Sequence, residues 1–309
     1  VANKVNIFIL HPAKANYPEI LAYKNFFCDK FDVFDGGVEQ YKNFGEKDNT
    51  ILWCIMGFYP RKLKAKYVIH DYRSLSVGRL SRLKDRIKKY VNVTPNLRVF
   101  QNELIENVMG FNDGVPSLLL PMGVPDWIFD LEPDPSLPKG TYCYIGEISR
   151  ERGMDSVIDA FRKNISVDQT LVLVGSPDVS ILEKNKGVKN IVFTGKLPQR
   201  EALKVVLNCE YAISRIPSRY PYCYQAPTKY LEYAALGKTI LCNQSPSNYM
   251  AFRRVQSNAV FVSSHIFSEA IFQSIDCFES EPQQAPTKLR WKAVITDSKI
   301  EKYLGAFVE

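Results

Sequence analysis

Ser214-Arg-Ile-Pro-Ser-Arg-Tyr-Pro-Tyr-Cys-Tyr-Gln-Ala-Pro-Thr-Lys-Tyr-Leu-Glu-Tyr-Ala-Ala-Leu-Gly-Lys-Thr-Ile-Leu-Cys242 decides how the chain reads. A strand ends near Ser214 and opens into a polar, aromatic loop. A helix begins near Pro227 and Thr228, with proline suited to a first turn and threonine to a cap. Gly237 closes that helix, and a buried apolar strand follows. Lys229 and Glu232 stand one turn apart and share a helix face near the N-terminus. A solvated pair with Lys229 is the plain reading of Glu232. The helix otherwise runs Tyr-Leu-x-Tyr-Ala-Ala-Leu, however, and a carboxylate on so apolar an element calls for a polar partner.

Outward from this stretch, strand and helix patterns alternate along the whole chain. Strands are expected at 4–10, 51–55, 67–69, 97–100 and 117–120, with helices near 18–28, 79–90 and 102–109. Leu131-Glu-Pro-Asp-Pro-Ser-Leu-Pro-Lys-Gly140 then reads as a linker, with three prolines and a glycine in ten residues. A second series places strands at 142–145, 170–174, 190–193, 210–214, 239–242 and 259–262. Its helices fall near 153–162, 200–208, 228–236 and 267–278. Alternation in two blocks argues for an α/β protein of two Rossmann-like parallel-sheet domains, 1–135 and 136–285. A helical stretch at 286–309 follows another proline-containing loop. In such domains ligands bind outside the carboxyl ends of strands, which puts the expected site in a cleft between them.

Composition removes several classes. With 46% apolar residues among 309, disorder is excluded, and 16 Gly and 18 Pro without a period exclude collagen-like sequence. No apolar run reaches the ~18 residues of a membrane-spanning helix, and Val1–Leu10 is short and strand-like for a signal peptide. Seven scattered cysteines, none spaced C-x-x-C, read as small core residues of a reducing compartment, which suggests the cytoplasm. Only three histidines are present and none lies near a cysteine pair, so a zinc site is not expected. The charge is uneven. Between Arg61 and Lys89, eleven Lys or Arg stand against Asp71 and Asp85, a local excess of nine in a chain of net +7. Leu80, Leu83, Ile87 and Tyr90 form an apolar stripe there with basic residues around it. The segment suits a solvated helix face or an anionic lipid surface; no RNA- or DNA-binding signature accompanies it, so nucleic acid is not an expected partner.

Candidate chemistry lies in loops after strands. Tyr142-Cys-Tyr-Ile-Gly-Glu-Ile-Ser-Arg-Glu-Arg-Gly153 ends a strand at Gly146 and carries Arg150 and Arg152 to a helix start, an arrangement that suits a diphosphate. In the first half, His11 follows the first strand, and His70 with Asp71 follows another. Each histidine has a plain reading as a hydrogen-bonded loop residue; two at strand ends of one domain suggest donor or acceptor contacts.

Three blocks together carry a resemblance: Gly146–Gly153, Phe193-Thr-Gly-Lys-Leu197, and Pro227-Thr-Lys-Tyr-Leu-Glu-Tyr-Ala-Ala-Leu-Gly-Lys238. In order and spacing they resemble GT-B fold glycosyltransferases, most like family 4 and its relatives. The resemblance is strongest over 140–265. It implies two Rossmann-like domains facing a central cleft, with the last helix crossing back onto the first. It implies that Glu232 holds the ribose hydroxyls of a nucleotide, and that Thr228 and Lys229 face the donor phosphates. Arg152 would contact the diphosphate, and Gly195, Lys196 and Leu197 would read the base. The family's usual arginine after Gly146 is Glu147 here, so Arg150 is its expected substitute. Tyr224 stands where the first of two paired glutamates is expected, which touches the donor sugar. The implied function is transfer of a sugar from a nucleotide sugar, a UDP-sugar foremost, to a hydroxyl of a glycan or lipid-linked acceptor. No metal or further cofactor is implied, and configuration is retained. Were the reaction inverting, a base would be needed, with His11 or Asp71 the candidates. A nucleotide-sugar epimerase and a non-catalytic glycan-binding module are the competing classes.

Overall fold

The computed structural model describes residues 4–13, 17–55, 57–262, 266–267 and 286–307. The first half folds in the order β1 (Asn6–Leu10), α1 (Pro18–Phe27), β2 (Asp32–Gly36), α2 (Val38–Lys42), β3 (Thr50–Ile55), β4 (Tyr67–Tyr72), α3 (Ser81–Val91), β5 (Leu97–Phe100), α4 (Glu103–Met109) and β6 (Ser117–Leu119). These strands form one six-stranded sheet, β2-β1-β3-β4-β5-β6, parallel throughout. β1 and β3 are buried at every position, because helices cover both faces of a parallel sheet.

The second half continues with β7 (Gly140–Ile145), α5 (Met154–Asn164), β8 (Leu171–Val174), α6 (Val179–Lys184), β9 (Ile191–Gly195), α7 (Gln199–Leu207), β10 (Cys209–Ser214), α8 (Thr228–Ala235), β11 (Thr239–Asn243), α9 (Pro246–Val255) and β12 (Ala259–Val262). Its sheet, β12-β11-β10-β7-β8-β9, is again six-stranded and parallel. Two helices close the chain, α10 (Trp291–Ser298) and α11 (Ile300–Leu304). The helix expected at 267–278 falls outside the described residues beyond Phe267.

Two compact units result. One comprises Val1–Pro125, Tyr224–Ala226 and Arg290–Glu309; the other comprises Asp126–Cys223 and Pro227–Leu289. The C-terminal helices therefore return to the first unit, as expected. Trp291 packs edge-on to Tyr23 of α1, and Glu301 pairs with Lys30 at 2.8 Å. Gly123 leaves room for that return, since a Cβ there would lie 2.7 Å from the Trp291 ring. The proline-rich stretch 131–140, expected as a linker, is instead strapped to the second unit. The Asn208 amide donates to the carbonyls of Asp134 (2.6 Å) and Leu137 (3.2 Å), and Lys204 pairs with Asp134 at 3.3 Å.

Candidate functional site

In the second sheet the strand order turns back between β7 and β10. Chain connections leave that point in opposite directions, so the loops after these two strands open a crevice over their carboxyl ends. Both loops carry cations. The β7 loop holds Arg150 and Arg152; the β10 loop holds Arg215 and Arg219.

The two loops are fastened together. Tyr222 Oη donates to Glu151 Oε1 at 2.9 Å, and Arg219 donates to the Glu151 carbonyl at 3.0 Å. The Arg152 guanidinium lies 4.3 Å over the Tyr222 ring, while its Nε donates to Glu147 Oε2 at 3.3 Å. Arg150 has an exposed side chain, and its backbone N–H donates to Asp178 Oδ2 at 3.0 Å. Gly153 stands at the cap position before α5 with φ at +72°, and a Cβ there would stand 3.1 Å from Arg215. Arg215 is therefore seated against the N-terminus of α5. Burial lowers its pKa below the ordinary arginine value, and among the described residues no carboxylate forms an ion pair with it. It was missed in the sequence, although it is the first residue after a strand at the turn-back point. A buried amide network holds its backbone. Asn243 accepts from the Ile216 N–H and donates to the Ile216 carbonyl, both at 2.8 Å, and Asn248 donates to the carbonyls of Ser214 and Asn243.

Helix α8 supplies the carboxylate. Thr228 is its exposed first residue and Pro227 takes the cap position, contrary to the expected threonine cap. Glu232 is only 6% exposed. Its two oxygens accept from Gln199 Nε2 at 2.6 Å and Lys229 Nζ at 2.9 Å. The ion pair expected from spacing exists, on a carboxylate that is buried rather than solvated. Gln199 opens α7 one residue, Pro198, after the Gly195-Lys196-Leu197 turn, so its bond to Glu232 ties that turn to α8. Gly195 has φ at +72° and Lys196 is exposed.

Three glycines let the strand ends approach. Gly175, with φ at +147°, lies so close to Gly146 that a Cβ would meet the Gly146 carbonyl oxygen at 1.8 Å. Gly175 N–H also donates to the Gly195 carbonyl at 2.9 Å. Gly146, Arg150, Arg152, Gly195, Lys196, Leu197, Thr228, Lys229 and Glu232 all belong to the second unit. Tyr224 does not: it is counted with the first, where its carbonyl accepts from Asn102 Nδ2 at 3.1 Å.

The candidates of the first unit separate. His70 and Asp71 were expected in a loop after a strand ending at Ile69, but β4 runs on to Tyr72 and takes both into the sheet. Asp71 is fully buried and accepts from Tyr23 Oη and Trp53 Nε1, each at 2.9 Å. Burial raises its pKa, against the opposing pull of Arg73, whose Nε lies 3.7 Å away. His70 is 1% exposed, and burial, with Arg98 adding, lowers its pKa to about 3. Neither group reaches solvent to serve as a base; both are interior residues. His11 stays partly exposed at the end of β1, where the first sheet turns back between β1 and β3. Its Nε2 lies 3.1 Å from Asp35 Oδ2, and its Nδ1 accepts from the Ala13 N–H at 3.2 Å. Burial would raise the Asp35 pKa, but hydrogen bonds from Lys24 and His11 outweigh it and hold the carboxyl low. Among the described residues no three His, Cys, Asp or Glu side chains gather to hold a metal ion.

Comparison with solved structures defines the fold as GT-B, two Rossmann-like domains each built on a parallel sheet. The chain is similar to sucrose-phosphate synthase from Thermosynechococcus elongatus, with a TM-score of 0.69 and 12% identity over 97% of this chain and 99% of that one. It is also similar to HepE from Anabaena in complex with UDP-glucose, with a TM-score of 0.66 and 11% identity over 97% and 99%. A glycosyltransferase from Rickettsia africae matches with a TM-score of 0.62 and 12% identity over 99% and 98%. No family model and no curated protein matches the sequence.

Proposed function

We propose that the chain is a glycosyltransferase that moves a sugar from a nucleoside-diphosphate sugar, a UDP-sugar, to a hydroxyl of a glycan or lipid-linked acceptor. The observation that carries this reading is the buried Glu232 carboxylate. It is held on α8 beside the Gly195–Leu197 turn, on the same sheet end as two cationic loops. A ribose offers two adjacent hydroxyls, and a carboxylate with two oxygens accepts both. With the ribose at Glu232, the diphosphate falls to Lys229, the N-terminus of α8 and the arginine-bearing loops.

The chemistry follows from charge. As the bond between the sugar carbon and the phosphate oxygen breaks, negative charge grows on the departing diphosphate. Arg150, Arg152, Arg215 and Lys229 stabilise that charge with preorganised cations and no metal. The acceptor oxygen bonds to the same carbon, and its proton passes to the leaving phosphate oxygen. This course retains configuration and needs no enzymic base. His11, with both ring nitrogens already engaged, fits that reading better than inversion. Contact of the basic segment 61–89 with an anionic membrane would bring a lipid-linked acceptor within reach.

Turnover of UDP-sugars with and without added acceptor tests the proposal. A transferase releases UDP in step with acceptor glycosylation. A changed sugar nucleotide without acceptor indicates an epimerase, and nucleotide binding without turnover indicates a glycan-binding module.

A further inference from the structure

Helix α3 is packed inside out. At about 100° per residue, Leu83, Ile87, Tyr90 and Val91 share one face with Leu80 just before the helix, and Asp85 points about 180° away from that face. An amphipathic helix ordinarily turns its apolar stripe to the core. Here the buried side is polar: Asp85 is 5% exposed and accepts the Ser76 N–H with both oxygens at 3.0 Å. Lys88 reaches the same carboxylate at 3.6 Å, and Lys89 donates to the Gly110 carbonyl. The apolar stripe is left outside, with Leu83 48%, Ile87 43% and Tyr90 75% exposed, and Val77 and Leu80 are exposed beside it. Arg82 and Arg86 flank the stripe on one side and Lys84 on the other.

We infer that α3 is an interfacial element that lies in the plane of an anionic bilayer, with its apolar stripe sunk into the boundary between headgroups and acyl chains. The two flanks explain the choice of partner. Long cationic side chains on both edges of an apolar stripe reach lipid phosphates while their stems stay with the stripe. A second copy of the helix would bring its cations against these, and a nucleic acid backbone has no use for the apolar centre. The contact thus has two parts: an electrostatic one that salt screens, and an inserted one that salt leaves in place. It rests on the helix alone and holds whether or not the chain transfers sugars.

The full chain should sediment with phosphatidylcholine vesicles that contain phosphatidylglycerol and far less with phosphatidylcholine alone. Leu83→Asn with Ile87→Asn should weaken that binding at least about tenfold, because the inserted area is lost. Lys84→Glu with Arg86→Glu should abolish the preference for the anionic lipid. In a Tyr90→Trp variant, the added emission should shift to the blue on vesicle binding and be quenched by brominated acyl chains. All these positions are exposed, so circular dichroism and nucleotide affinity should stay as in the parent chain. Failure to bind anionic vesicles at low salt overturns the inference. So does vesicle binding in which the indole of the Tyr90→Trp variant stays wet, which would be surface attraction only. A dimer in sedimentation velocity that Leu83→Asn dissolves would assign the stripe to a second copy instead.

Discussion

Replacing Glu232 by alanine separates the ribose from the phosphate end of the proposed donor site. In the free protein the carboxylate accepts from Gln199 and Lys229. Gln199 is exposed and the Lys229 side chain is 38% exposed, so both donors regain water when the carboxylate is gone. The fold should therefore lose only about 1–2 kcal/mol. Two effects then act on nucleotide affinity. Loss of a charged acceptor for the ribose weakens binding by about 1.5–3 kcal/mol, roughly 10- to 150-fold. Release of Lys229 strengthens attraction for the diphosphate, by at most about 1 kcal/mol for a side chain this exposed. The second effect falls equally on any ligand with the same diphosphate and cancels in a cycle of two proteins and two ligands. Calorimetry with UDP and with 2′,3′-dideoxy-UDP closes that cycle. The parent chain should prefer UDP by about 1.5–3 kcal/mol, and Glu232→Ala should bind the two within about 0.5 kcal/mol. A preference for UDP that survives in the variant would remove Glu232 from the ribose.

Arg152→Ala and Arg215→Ala should each weaken UDP binding while leaving uridine affinity unchanged; equal losses for both ligands in titration would contradict a phosphate role. Gly175→Ala should cost upward of about 3 kcal/mol in urea unfolding, because its Cβ would meet backbone that cannot yield, with Gly187→Ala as control at about 1–2 kcal/mol. A Cβ at Gly187 meets nothing within 4 Å although its φ is also positive, so similar losses at the two sites would refute the close approach of the strand ends. For His70 the folded pKa is depressed to about 3 from 6.5, so between those values the unfolded chain binds a proton that the folded one refuses. Stability from this group is therefore full above pH 6.5 and lost as pH falls, at about 1.4 kcal/mol per pH unit. His70→Gln should flatten the acid limb of stability by about that slope; parallel limbs for parent and variant would show that the imidazole takes up its proton as readily in the fold as in the unfolded chain.

The alternation of β-branched runs with amphipathic stretches made both sheets and their parallel sense readable, because hydrophobic period is written locally. β2 escaped notice because Asp32-Val-Phe-Asp-Gly36 is an edge strand with alternate positions exposed, and its acidic residues read as loop. α9 could have been found: Pro246 stands at its first turn, and Ser245 accepts from the Asn248 N–H as a cap. The pairing of Lys229 with Glu232 on α8 was legible because Pro227–Lys238 is one continuous segment. Arg215 and Gln199 were not, since each acquires its meaning from a partner distant in sequence. His70 and Asp71 show the converse. Three more residues of strand turned an apparent loop into sheet interior, and no local pattern distinguishes a histidine at a strand's end from one inside it. In α3 the stripe was legible but its direction was not. That direction depends on what Asp85 finds when the helix docks.

The return of α10 to the first unit bears on the order in which the molecule is made. The second unit is made within one span of the chain, Asp126 to Leu289, and its sheet has all its strands once β12 is synthesised. The first unit is begun earlier but still lacks a wall. Until Trp291 arrives, Gly123 faces an empty slot, and the guanidinium of Arg73, which in the finished chain lies 6.0 Å from the Trp291 ring, has no indole beside it. The half translated first is thus completed last, and a chain that stopped at Leu289 would carry an opened first half attached to a complete second one.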